Sequence, residues 1–158
     1  MFRAIPAALA AALLAQPAAA LSCLAPTMQG SFQAASDSEA TYVLARGIFA
    51  PLPDQPEGPE GDPNDKQDYS VETLFTGQVA SAQGFVQPAR TAVTIEIGCE
   101  AAWCGAVPEG EVVALIERRE DRFVLEQGPC PRFALTATDE VVNAALACAR
   151  GEACEAPE

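Results

Sequence analysis

Six cysteines and no histidine in a chain of 158 residues set the tightest limit on what this sequence can become. Two of them, Cys99 and Cys104, lie five positions apart in GCEAAWCG, around the only tryptophan, Trp103. Such a pair is a metal clamp, a redox centre or a staple. Zinc wants cysteines two to four apart, often with histidine as co-ligand, and there is no histidine to supply. A dithiol redox centre is normally Cys-x-x-Cys, whereas here four residues intervene. The pair therefore reads as a staple. With Cys23, Cys130, Cys148 and Cys154 the count is even, as expected of a disulfide set in an exported protein. Six cysteines allow fifteen pairings, and spacing alone does not choose among them.

The missing histidine reaches further. It removes Ser-His-Asp and Cys-His catalysis, His-ligated metals and the usual imidazole proton shuttle. No Gly-rich phosphate loop is present either. An enzyme built on this chain would have to use carboxylates, tyrosine or lysine. Its candidates are Glu96, Glu100, Glu109 and Glu111, with Glu109 and Glu111 spaced to share a face of an extended strand. The chain reads as non-catalytic, without metal or cofactor.

Export is written at the start, MFRAIPAALAAALLAQPAAALSC. Arg3 gives a positive n-region, Ala7 to Ala15 a short apolar run, and small residues follow Gln16 and Pro17, the layout of a secretory signal peptide. The run is far shorter than the ~20 residues that cross a bilayer as a helix, and no later segment comes close, so a soluble mature protein is expected. The leader is read as residues 1–20, cut before Leu21, with a second allowed cut before Cys23. A lipid anchor at Cys23 is disfavoured, because Leu21 sits one place too late and lipidation would strand five cysteines. Removing the leader takes away Arg3 alone and leaves eight basic against 22 acidic residues, a net charge of −14. That surface repels phosphate backbones and anionic lipids, which excludes nucleic acid as the expected partner. Residues 21–158 then form one domain.

Along that domain, LSCLAPTMQGSFQAASDSEA reads as an irregular entry, followed by a strand over Thr41 to Ala50. Residues 51–68, PLPDQPEGPEGDPNDKQD, are Pro/Gly/Asp-rich and acidic, and read as a mobile loop. Asp62, Asn64, Lys66 and Asp68 resemble a calcium loop in spacing, but lack its turn glycine and place a lysine where an oxygen ligand belongs. Tyr69, Val71, Thr73 and Phe75 alternate on one strand face, and Gly77 after them signals a bulge or bend. Val93, Ile95 and Ile97 alternate against Thr94 and Glu96 in a further strand. GEVVALIERREDRFVLEQGPC reads as a hairpin turning at Arg119-Glu120-Asp121. Val112, Ala114 and Ile116 lie on one of its faces, Val113 and Leu115 on the other, so this strand is covered on both sides. A helix follows, capped by Thr138, with Val141, Val142, Ala145, Leu146 and Ala149 as its buried stripe and Gly151 as its stop.

Four or five strands with Gly-marked bends followed by a helix predict a mainly β fold, a small barrel in a secreted protein. VTIEIGCEAAWCGAVPEGEVVALIERREDRFVLEQGPCPRFAL sharpens this. With Cys104-Gly105, the Gly110 to Leu115 strand, the Gly128 to Arg132 turn and the Cys23-Leu24-Ala25-Pro26 entry, it resembles the tissue-inhibitor-of-metalloproteinases-like, netrin-module-like OB-fold family and its bacterial exported members. The resemblance implies a small five-stranded OB-like barrel, with a C-terminal helix, whose amino-terminal segment is tied to the core by disulfides. By its logic Cys23 pairs with Cys130, Cys99 with Cys104, and Cys148 with Cys154.

The expected function is a non-catalytic binding module of the cell envelope, its partner an unidentified protein or other envelope macromolecule. Its surface is expected near Cys23, Leu24, Trp103 and the loop after Cys130. Trp103 is either an anchor for a partner or, as preferred from sequence, a cover for the neighbouring disulfide. Arg118, Arg119 and Arg122 form a rare basic cluster, read mainly as a solvated hairpin tip. The resemblance also implies an alternative, metalloprotease inhibition through the amino-terminal segment, which needs Cys23 as the first residue. A carboxylate-based hydrolase is the remaining alternative.

Overall fold

The computed structural model describes residues 23–55, 58–59, 61–152 and 154–155; the leader read over residues 1–20 lies outside them. The elements are α1 (Met28–Ser36), β1 (Thr41–Pro51), β2 (Tyr69–Ser81), β3 (Gly84–Ile97), β4 (Val112–Arg119), β5 (Arg122–Gln127), β6 (Ala134–Thr136) and α2 (Asp139–Ala149). Strand β1 closes the sheet by pairing twice. Its first half, Thr41 to Gly47, lies antiparallel to β4, and its second half, Ala45 to Pro51, antiparallel to β2. Around the barrel the order is β1, β2, β3, β5, β4 and back to β1, with β3 and β5 the one parallel pair. This is a closed five-stranded OB-like barrel. Strand β6 pairs with the first residues of β4, Val112 to Ala114.

Alternation along the strands fills two cores. Phe49, Val71, Phe75, Val93, Ile95, Ile97 and Leu125 point into the barrel with Val112, Ala114 and Ile116. The intervening Val113 and Leu115 face outward, where Met28 of α1, Leu44, Leu135 and Ala145 of α2 cover them. The doubly apolar run of β4 is thus what a strand between two cores requires. Each buried Val, Leu or Ile side chain contributes about 1.5–3 kcal/mol through its removal from water.

Glycine has a specific use where β1 and β2 cross. Gly47 and Gly77 are directly opposite. A Cβ on Gly77 would strike the Arg46 carbonyl oxygen and lie 2.6 Å from the Gly47 Cα, with the Phe75 ring 2.8 Å away. The strands come this close because neither residue has a side chain, and the Phe75 ring covers the gap. Of the bulge or bend that the sequence offered for Gly77, the bulge is absent: Gly77 stays in register with both Gly47 and Ala89. The register shift falls at Val79/Ala80.

The irregular entry and the inward place of Ala149 are corrected, and other segments gain detail. The entry segment holds α1, capped by Thr27, whose hydroxyl accepts from Gly30 N at 3.1 Å. Its turns carry helix-poor Gly30 and Ser31, which hid it. Strand β3 starts at Gly84, after a two-residue turn, because cross-strand pairing to β2 carries the chain through Gln87 and Pro88 despite their composition. Within 51–68, Gly61–Asp62 pairs with Asp65–Lys66, Gln55 Oε1 accepts from Glu72 N at 2.8 Å, and Lys66 N donates to Ala101 O at 2.9 Å. Helix α2 is capped by Thr138 and ends in Gly151 at φ +72. Gly151 N donates to Cys148 O and Glu152 N to Ala147 O, the Schellman pattern. Ala149 is exposed rather than buried, and Cys148 takes the inward place.

Candidate functional site

Three disulfides join Cys23 to Cys130, Cys99 to Cys104 and Cys148 to Cys154, the pairing that the family resemblance implied. The first two build one end of the barrel. Cys99–Glu100 and Trp103–Cys104 form a two-residue ladder directly after β3. The ladder is tied down through the turn after β5: Gly98 N donates to Gln127 O and Gly105 N to Gly98 O, each at 3.0 Å. Gly105 packs so closely on the Gln127 carbonyl that no Cβ fits there. Two residues past Gly128, Cys130 holds Cys23. Buried Ser31 of α1 adds a second tie, its hydroxyl lying within hydrogen-bonding reach of the Thr27 and Arg132 carbonyls.

On this end two large apolar side chains stand in solvent. Leu24 is 94% exposed and Trp103 59% exposed. Trp103, read from sequence as a cover for the neighbouring disulfide or an anchor for a partner, keeps more than half of its surface in solvent. The short ladder is too small to bury an indole, and it presents the ring outward. Residues 23–27, Gly30, Ser31 and 130–132 line a groove of about 850 Å³ beside Leu24. A smaller cavity of about 320 Å³ lies between 104–109 and 127–131.

The arginines separate. Arg118 and Arg122 are exposed, whereas Arg119 reaches across β5. Its guanidinium meets Glu117 at 2.7 Å on its own strand, Glu126 on β5 at 2.8 Å and Glu96 on β3 at 2.8 and 3.0 Å. The hydrogen bond that Arg119 donates to Glu117 pushes its pKa above the already high ordinary value; partial burial works against this, and the bond and charge of Glu96 add to the rise. A guanidinium so held is a permanent cation, already spent on its own carboxylates. The sequence grouped three arginines by number; alternation along β4 sends Arg118 to the face opposite Arg119, while Arg122, in register with Arg119, shares its face but stands in solvent.

The carboxylates named from sequence do not converge. Glu96 serves Arg119, and Glu111 binds Arg46 at 2.7 Å. Glu109 and Glu111 precede β4, with Gly110 at φ +69 between them, so they share no strand face. Glu100 is exposed on the ladder. In the acidic loop, Asp62 Oδ1 accepts from Asn64 N and Asp68 Oδ1 from Cys99 N at 2.7 Å, so both carboxylates hold backbone.

Sequence reasoning missed Gln127. It follows Leu125 on the inward face of β5, is only 3% exposed, and its Nε2 finds no partner among the described residues. It lines the small cavity and also a groove of about 550 Å³ with Asp68, Ser70, Glu96, Gly98 and Glu126. Its inward parity with Leu125 was the available signal.

Among the described residues no helix is long and apolar enough to cross a membrane. No family model, curated protein or solved structure matches the chain. What fold and geometry define is a disulfide-stapled OB-like barrel with exposed apolar side chains at one end.

Proposed function

We propose that this chain is an exported, non-catalytic binding module of the cell envelope, and that it recognises a protein through the stapled end of the barrel. One observation carries the reading: Leu24 and Trp103, 94% and 59% exposed, each adjoin a half-cystine at that end. Exposing a leucine and a tryptophan forgoes the burial that either gains in a core, and aromatic anchors of this kind dominate binding at interfaces. The disulfides limit the entropy lost on binding by fixing both segments beforehand. Three disulfides fit an oxidising compartment outside the cytoplasm, in keeping with the signal-like leader.

Affinity capture from the envelope fraction of the native host, followed by the same capture with Leu24→Ser and Trp103→Ala proteins, tests this. Both variants should keep the thermal midpoint of the parent and lose the captured protein. Unchanged capture by both would refute the reading.

Metalloprotease inhibition is a second reading, favoured by Cys23 being pinned at the rim with Leu24 projecting beside it. It requires a free amine on Cys23. Amino-terminal sequencing of the exported protein decides it: a start at Leu21 excludes chelation by that amine.

A further inference from the structure

Helices α1 and α2 cover only part of the outer barrel wall. On β1 they cover the outward Tyr42 and Leu44. Further along the same face Ile48 and Ala50 stand in solvent, with Leu52 after them; Ile48 is 51% and Leu52 38% exposed. Register joins these side chains to their neighbours. Ala50 lies opposite Leu74 and Leu74 opposite Ala92, while Leu52 N donates to Glu72 O at 2.9 Å. The alternate residues Phe49, Phe75 and Val93 point into the barrel. Ile48, Ala50, Leu52, Leu74 and Ala92 therefore form one apolar strip across the outside of β1, β2 and β3. Scattered exposed apolar residues are ordinary, but a contiguous strip marks an interaction surface.

Charge of opposite sign stands at the two ends of this face. Toward the start of β3 lie Arg90, opposite Thr76, and Arg122, two residues before Val124 on the parallel β5. Both are exposed, and neither forms an ion pair among the described residues. Toward the end of β3, Glu96 and Glu126 are neighbours, and with Glu117 they share the one cation of Arg119. From Arg90 to Glu96 the strand rises ~20 Å at ~3.3 Å per residue.

A face with a basic end, an apolar middle and an acidic end is complementary to itself when turned end for end. We infer that it binds a second copy of this chain, about a two-fold axis running across the strands between the levels of Ala92 and Thr94. That turn lays the apolar strips together and brings Arg90 and Arg122 of each copy toward the acidic end of the other. The face is about 15 Å wide over four strands and ~20 Å long, on a curved wall. It falls short of the ~800 Å² per partner of a standard interface, and a net charge of −13 opposes the approach of two copies. The dimer is therefore weak and reversible. The Cys99–Cys104 ladder and the turn to Cys130 lie beyond the acidic end, so the two stapled ends point away from each other and both stay open. The inference does not rest on the binding-module reading; where both hold, the dimer binds at two sites.

Sedimentation equilibrium of the oxidised exported protein, at about 150 mM salt to screen net repulsion and from ~10 µM to ~1 mM to reach weak association, reads the mass directly. A rise from one chain toward two, with no larger species, is expected. A single-chain mass throughout would overturn the inference. Ile48→Ser should keep the parent's thermal midpoint and weaken the dimer about ten-fold or more, since its loss counts once in each copy. Ile48 lies on β1, away from the unpaired edge of β3 between Gly84 and Val93, so this variant separates face packing from edge pairing. Arg90→Glu and Glu126→Arg should each weaken association about five-fold or more, because like charges then meet. An equimolar mixture of these two variants should restore it to near the parent's level, because the reversed charges face each other. Glu39→Arg, an exposed charge elsewhere, should change nothing. A mixture that associates no better than its components overturns the inference, as does equal weakening by Glu39→Arg and Glu126→Arg. Leu24→Ser and Trp103→Ala should dimerise like the parent; if they abolish the dimer while Ile48→Ser does not, the copies join through the stapled ends and the inference falls.

Discussion

Replacing Gly77 with alanine sets two arguments of opposite sign against each other. Alanine in a strand interior normally stabilises by about 0.5–1 kcal/mol, because glycine loses more backbone entropy on folding. At this crossing the new methyl would meet the Arg46 carbonyl oxygen and lie 2.6 Å from the Gly47 Cα, with the Phe75 ring 2.8 Å away. Ordinary carbon–carbon contact is at about 3.5 Å, so β1 and β2 must part by roughly 1 Å. They are hydrogen-bonded along seven register pairs, and neither strand end is free, because β1 also closes the barrel onto β4. Overpacking of this kind costs about 1–3 kcal/mol, and more where backbone must move. A net loss of about 2–3 kcal/mol follows, or a thermal midpoint lower by roughly 5–12 °C for a domain of this size. Urea unfolding of Gly77→Ala and of Gly128→Ala, where a Cβ meets nothing within 4 Å, should give a lower midpoint for the first and little change for the second. A Gly77→Ala protein as stable as the parent would refute the close-approach argument.

Further outcomes follow from the same structure. Cys23→Ser with Cys130→Ser opens a loop with a sequence separation of 107 and should cost up to ~5 kcal/mol in the chain-entropy model, against ~2 kcal/mol for removing the Cys99–Cys104 link; denaturant titration of the two double variants should rank them in that order. Thr138→Ala removes the hydroxyl that accepts from Val141 N at 3.2 Å and should cost about 1 kcal/mol by thermal unfolding. Between Gly84 and Val93, β3 has no ladder partner on the side away from β2 among the described residues, and Pro88 interrupts that open edge. Pro88→Val restores an amide there and should give concentration-dependent self-association by light scattering; a strict monomer at all concentrations would show that the edge is protected otherwise.

The barrel was legible wherever burial follows a simple period. Val93, Ile95 and Ile97 mark the core face of β3, and the mixed apolar run from Val112 to Ile116 marks a strand lying between two cores. The capped helix from Thr138 to Gly151 was legible for the same reason, since local hydrogen bonds set its ends. Helix α1 was hidden because its place depends on Met28 and Ser31 docking onto residues far along the chain, not on helix propensity. The early start of β3 was hidden by Gln87 and Pro88, whose conformation is set by pairing with β2. In the site, the cysteines and Leu24 could be read locally. The ion pairs of Arg119 with Glu96 and Glu126, and the orphan amide of Gln127, arise only when β3, β4 and β5 meet, and no spacing records that.

The Cys23–Cys130 bond ties the amino-terminal segment to the turn after β5 and places Leu24 beside the barrel rim. Proteolysis of protein exported by its own host, without reduction, followed by mass spectrometry of linked peptides, measures this directly. A peptide pair joined through Cys23 and Cys130, separating on reduction, is the predicted result. Cys23 found as a free thiol, carrying lipid, or joined to any other cysteine would contradict it.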